Sequence, residues 1–257
     1  MSADVATTMP IHLEDLNVGE RVTVPAGRVG PVGIDGRVHG AMVAAAFARS
    51  AAATWEDIEG RWRYLAPVCD GDELTFEVTI TSCRRTPDLS QGVVGRHVRV
   101  RNDGGALVQE GLTTSLVPVR TVLDDDSVRV GRAFGTRAWA SALAERLDDD
   151  PAFTTETSTW DGAIGIRYGD REMQFRIYRG RTLEAVSRTL AGPTFVVEAS
   201  EHDWIDLFTG PTNDFARRAM LDQFQVRGNA YEYLRLTAAL VAFVDQAREL
   251  ARAGRIA

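Results

Sequence analysis

The chain has 257 residues, a quarter of them charged, and a formal net charge of −7. That length allows one large domain or two small ones, each able to bury a core, and the acidic balance argues against nucleic acid as the main partner. No Lys occurs, so every Lys/Arg position is Arg. This reads first as composition bias, and it removes Lys as nucleophile or Schiff-base former.

In chain order, "DLNVGERVTV" predicts a turn and a strand, and "GRVGPVGIDG" a loop rich in Gly and Pro. An apolar helix follows over about His39 to Ala53, with no polar side chain from Ala41 to Ala48. A helix apolar on all sides is expected to be buried. "GRWRYLAPVCDGDELTFEVTITSCRR" holds a strand, a turn at Asp70-Gly71-Asp72, and a strand alternating Leu74, Phe76, Val78 and Ile80. "GVVGRHVRVRND" and "GALVQEGLTTSLVPV" alternate likewise, joined by the hairpin signal "NDGG". A helix followed by antiparallel strands predicts a helix wrapped in a sheet, and Ala41, Ala44, Ala45 and Ala48 let the sheet close round it.

The acidic cluster Asp124–Asp126 interrupts the strand pattern, and the chain is expected to divide there: 1–120, a linker 121–133, and 134–257. The second part opens with the amphipathic helix "TRAWASALAERLDDD", its apolar pattern ending at Leu147 and Pro151 beyond. Four strand-like pieces follow: "STWDGAIGIRYG", "REMQFRIYRG", "RTLEAVSR" and "PTFVVEAS". In "SEHDWIDLFTG", Ser200 is the expected N-cap, Asp203 a weak capping box and Gly210 the stop. "PTNDFARRAMLDQF" is a second short helix. A short strand and one long C-terminal helix complete the reading, with Leu236, Leu240 and Phe243 at helical spacing. The fold class is therefore α+β. Cys69 and Cys83 lack the spacing of a zinc site or a disulfide framework, and no metal or cofactor is expected. With no signal-peptide pattern and no long apolar run, a cytoplasmic protein without a membrane span is expected.

"GRVHGAMVAAAFA", "YLAPVCDGDELTFEVTI" and "VRNDGGALVQEGLTTSLV" resemble the hotdog fold of MaoC-like (R)-specific enoyl-CoA hydratases and dehydratases, over about residues 11 to 119. Acyl-CoA thioesterases of that fold share the His-Gly step. "FVVEASEHDWIDLFTG" and "FARRAMLDQFQVRGNAYEYLRL" resemble the sterol-carrier-protein type 2 domain, over about 134 to 255. The two resemblances imply a hotdog domain followed by a sterol-carrier-like sandwich enclosing an apolar tunnel. They also imply an acyl-CoA or other acyl thioester, and a fatty acid or sterol-like lipid, as ligands. A homodimer through the hotdog domain is implied as well. A hydratase and a sterol-carrier domain occur together in peroxisomal multifunctional β-oxidation enzymes.

Enoyl-thioester hydration needs donors to polarise the carbonyl, a base for water and an acid for the α-carbon. The resemblance assigns the donors to the helix entrance, at Gly40, Ala41 and Met42, where free N–H groups and the positive dipole end lie. The hydratase motif of Asp, Asn-Pro and His before the helix is absent, and the interval from Val24 to His39 is too short to hold it. Asp35 and His39 are the nearby pair of suitable types. Their alternative is a solvated turn Asp and a His bonding the backbone. The thioesterase reading expects a carboxylate on the helix, yet none appears until Glu56 and Asp57, near its far end, and Ser50 is a weak substitute. Arg96, His97 and Arg99 are read as contributors or, more ordinarily, as a solvated strand face. In the second part, Trp204, Phe208, Phe215, Met220 and Phe224 are candidate tunnel linings, with ordinary core as the alternative. Three readings stand open: a hydratase or dehydratase, a non-catalytic acyl carrier, and a thioesterase.

Overall fold

The computed structural model describes residues 12–28, 37–38, 43–47, 55–69, 71–120 and 134–253. The chain divides into two compact units, Met1–Asp124 and Asp125–Arg255. The expected linker 121–133 lies outside the described residues.

In the first unit, a 3-10 turn at Leu13–Asp15 precedes β1 (Arg21–Arg28). The other strands are β2 (Arg37–Val38), β3 (Glu56–Tyr64), β4 (Val68–Cys69), β5 (Glu73–Arg85), β6 (Gly92–Asn102) and β7 (Leu107–Val117). Five of them form one sheet in the order β1-β5-β6-β7-β3, and each neighbouring pair is antiparallel. The two-residue strands β2 and β4 pair separately. The expected alternation on β5 holds: Leu74, Phe76, Val78 and Ile80 are all buried. Period 2 places them on one face. Gly71 stands at φ 91° before β5, and Gly105 at φ 76° in the β6–β7 turn; both positions favour glycine because an L side chain crowds that backbone.

Residues 43–47 are helical. Phe47 packs edge-on against Phe76 of β5 and Trp62 of β3, with centroids 5.3 and 5.9 Å apart. The helix therefore lies on the sheet. It is not buried on all sides, however: Val43 and Phe47 are buried while Ala45 is exposed. The alanines that make the sequence look uniformly apolar carry too little side chain to demand cover, so one stripe suffices.

The second unit contains α1 (Arg137–Asp148), α2 (Pro151–Glu156), β8 (Asp161–Tyr168), β9 (Arg171–Tyr178), β10 (Arg181–Val186) and β11 (Phe195–Ala199). It continues with α3 (Glu201–Thr209), α4 (Phe215–Met220), β12 (Gln225–Gly228), α5 (Ala230–Arg235) and α6 (Thr237–Ala253). Its sheet runs β10-β9-β8-β11-β12. The β8–β9 and β9–β10 pairs are antiparallel, β11 joins β8 in parallel, and β12 joins β11 antiparallel. The parallel pair requires a crossover, because a tight turn only reverses a strand.

Trp139 of α1, Phe175 of β9 and Phe243 of α6 meet in the core, the last two 5.0 Å apart and nearly perpendicular. The expected long C-terminal helix is two helices, α5 and α6, meeting at Leu236. The Thr237 hydroxyl donates to the Tyr233 and Leu234 carbonyls at this junction, an alternative that competes with the helical ladder. Ser200 caps α3 by accepting from the Asp203 N–H, as expected, and its hydroxyl also donates to the Asp203 carboxylate. Gly210 ends α3 with an extended backbone (φ −66°, ψ 174°). A Cβ there would stand 2.6 Å from the Asp206 carbonyl oxygen, so space, not a left-handed turn, makes glycine the stop.

Candidate active site

A cavity of about 260 Å³ opens in the first unit beside the helical segment. Ala44 and Phe47 form one wall; Asp57 to Gly60 and Trp62 of β3, with Thr113 of β7, form the other. A register shift between Asp57 and Glu59 leaves Ile58 without a partner on β7. Such a bulge re-aims the side chains around it.

Asp57 is directly opposite Ser115 on β7, and Thr113, two residues along, is opposite Arg96 on β6. Ser115 and Thr113 share a face because strand side chains alternate. The Arg96 guanidinium lies over both: Nε donates to Thr113 Oγ1 at 3.1 Å, and Nη2 donates to Asp57 Oδ1 at 2.5 Å and Ser115 Oγ at 2.6 Å. Ser115 Oγ donates in turn to Asp57 Oδ1. The guanidinium carbon stands 4.9 Å from the Phe47 ring centre and 5.1 Å from that of Trp55, a cation between two π faces.

Arg96 is only 1% exposed. Burial pushes its guanidinium below the usual value, with the Asp57 charge and hydrogen bond acting the other way. Among the described residues, its Nη1 and the indole Nε1 of Trp55 are buried donors that meet no hydrogen-bond partner. The Asp57 side chain is 35% exposed. Its Oδ1 is held twice, and among the described residues Oδ2 meets no hydrogen-bond partner. Glu59, the other carboxylate of the wall, is paired with Arg61 at 3.0 Å.

The site candidates from the sequence divide three ways. Asp35, His39, Gly40, Ala41, Met42 and Ser50 lie outside the described residues. Glu56 and Asp57, expected near the end of the helix, stand instead on β3. Arg96 and His97, read ordinarily as a solvated strand face, are both buried. The signal was present in β6: Arg96 shares its parity with Val94, Val98 and Val100, all fully buried, so period 2 already points it inward. His97 points oppositely and lies 4.0 Å from Glu110.

In the second unit, Trp204 touches Phe208 and Phe224, with centroids 5.4 and 4.7 Å apart, and Phe224 touches Phe215 at 5.6 Å. These four rings form one buried cluster. The Trp204 indole donates to the Arg167 carbonyl at 2.9 Å. Met220, at 79% exposed, lies outside that cluster. Among the described residues no helix is long and apolar enough to cross a membrane.

No protein-family profile matches the chain, and no curated protein matches it. Solved structures do resemble parts of it. A sterol carrier protein 2 is 21% identical over 45% of this chain and 98% of its own, with a TM-score of 0.40. A MaoC-like dehydratase from Rhodospirillum rubrum is 21% identical over 44% of this chain and 99% of its own, with a TM-score of 0.38. The R-hydratase PhaJ1 from Pseudomonas aeruginosa is 21% identical over 43% of this chain and 87% of its own, with a TM-score of 0.35.

Proposed function

We propose that the chain handles hydrophobic acyl thioesters, with hydratase or dehydratase chemistry in a hotdog domain (residues 1–120) and a fused sterol-carrier-like lipid-binding domain (residues 134–257). The observation that carries this reading is the cavity beside residues 43–47, walled by Phe47 and Trp62 and edged by the Asp57 carboxylate. A concave site where aromatic walls meet a few convergent polar groups is a common form of a small-molecule site.

In this reading the backbone of Gly40, Ala41 and Met42, just before the helical segment, polarises the thioester carbonyl through free N–H groups. Asp35 and His39 act as a displaced acid/base pair. The aromatic cluster of Trp204, Phe208, Phe215 and Phe224 holds lipid, and exposed Met220 is left out of it. The working form is a cytoplasmic homodimer through the first unit.

The test is incubation with long-chain and steroid-type 2-enoyl-CoA and with the saturated acyl-CoA, following enone absorbance and free thiol. Loss of enone supports the reading. Thiol release in its place makes the protein a thioesterase. Neither reaction, together with a co-purifying lipid, makes it a carrier.

A further inference from the structure

Resting on that reading, we infer that Asp57 is the carboxylate that activates water in the cavity, and that Arg96 and Ser115 are the positioning residues that aim it. This assigns the water-activating role to Asp57 in place of the Asp35 and His39 pair, and keeps from that reading the substrate and the carbonyl-polarising N–H groups.

Three observations converge on Asp57. Its Oδ1 accepts from both Arg96 Nη2 and Ser115 Oγ, which anchors that oxygen of the carboxylate. Among the described residues its Oδ2 meets no hydrogen-bond partner, while the residue itself lines the cavity. Arg96 is 1% exposed. The guanidinium lies against the Phe47 and Trp55 rings and behind the residues that line the cavity, so Arg96 anchors the carboxylate and does not itself meet a ligand. Glu59 is a poorer candidate, since its one partner, Arg61, is exposed and anchors it less firmly than the buried Arg96 anchors Asp57.

The reaction balances with water as the only co-reactant. Water oxygen bonds to the β-carbon of the 2-enoyl thioester as Asp57 Oδ2 takes one of its protons. The π pair of the C=C bond moves toward the α-carbon and thioester carbonyl. The α-carbon then takes a proton, restoring the carboxylate when Asp57 returns its own. Dehydration is the reverse sequence. A positioned base or acid of this kind contributes roughly 100- to 10,000-fold.

The experiment measures kcat and KM for long-chain 2-enoyl-CoA hydration by the full chain, with Asp57→Asn and Ser115→Ala beside the wild type. Circular dichroism checks that each variant is folded. The expected result for Asp57→Asn is a loss in kcat of roughly 100-fold or more. Ser115→Ala, which keeps the carboxylate and its guanidinium partner, loses roughly 10-fold in kcat with KM unchanged, the size of one hydrogen bond to a charged group. Should Asp57→Asn not fold, Ser115→Ala alone decides. Wild-type kcat in a folded Asp57→Asn, or in Ser115→Ala, overturns the role of Asp57 and leaves the hydration reading standing. A wild-type protein that consumes no enone overturns the hydration reading and this inference together.

Discussion

Arg96 on β6 donates to Asp57 on β3 at 2.5 Å, across the intervening strand β7. The contact ties the edge of the sheet to its interior and sets a charge pair at the cavity wall. The two partners are unequal: Arg96 is almost wholly buried, and Asp57 keeps a third of its side chain exposed. Removing one or the other should therefore differ. Arg96→Met leaves a carboxylate that water can reach, so the loss is set at about 1–3 kcal/mol. Asp57→Ala strands a buried cation, and about 3–5 kcal/mol is expected. Urea unfolding of both variants checks the order.

Trp62 is held against the backbone of Gly111, its partner on β7. A Cβ at Gly111 would stand 2.5 Å from the Trp62 ring. Gly111→Ala should push that ring and cost about 1–3 kcal/mol by overpacking. A changed tryptophan emission together with a lower thermal midpoint is the expected readout.

Much of this architecture was legible in the sequence, but unevenly. Leu74, Phe76, Val78 and Ile80 announced a half-buried strand because β5 has a clean inner face. The hairpin at "NDGG" and the cap at Ser200 were legible because each rests on local chemistry. β3 was harder: its "EDIEGRWRY" is almost entirely exposed and carries a bulge, so no alternation marks where it begins. Asp57 therefore reads as the end of the helix. Arg96 reads as surface by its charge, although its neighbours two positions away are buried valines. Only the pairing of β6, β7 and β3 reveals that Asp57, Thr113 and Ser115 surround its guanidinium.

Ser200 accepts the Asp203 N–H at the start of α3, the helix that carries Trp204 and Phe208. Ser200→Ala should cost about 1 kcal/mol, seen as a small shift in the denaturant midpoint. Met220, exposed at the end of α4, should tolerate Met220→Gln within about 0.5 kcal/mol.

Tyr168 is buried and donates its hydroxyl to the Gly135 carbonyl at 2.7 Å. Burial raises its phenol pKa above the ordinary value; Arg171 opposes the shift and Glu201 adds to it. The folded state thus holds the proton more tightly than the unfolded chain. The resulting stability is fully present below the unfolded value of about 10 and is lost as pH rises through the higher folded value. Tyr168→Phe should flatten that alkaline decline, measured as unfolding free energy against pH.

The central claim is that the cavity between residues 43–47 and β3 receives an acyl thioester. Titration of the protein with an unreactive thioether analogue of a long-chain acyl-CoA, followed by tryptophan emission, tests it most directly. Ala44→Phe places a ring in the cavity from the wall opposite β3 and leaves every residue of the Asp57 network unsubstituted. The account predicts saturable binding by the wild type and its loss in Ala44→Phe at an unchanged unfolding midpoint. Equal binding by the two proteins would contradict it.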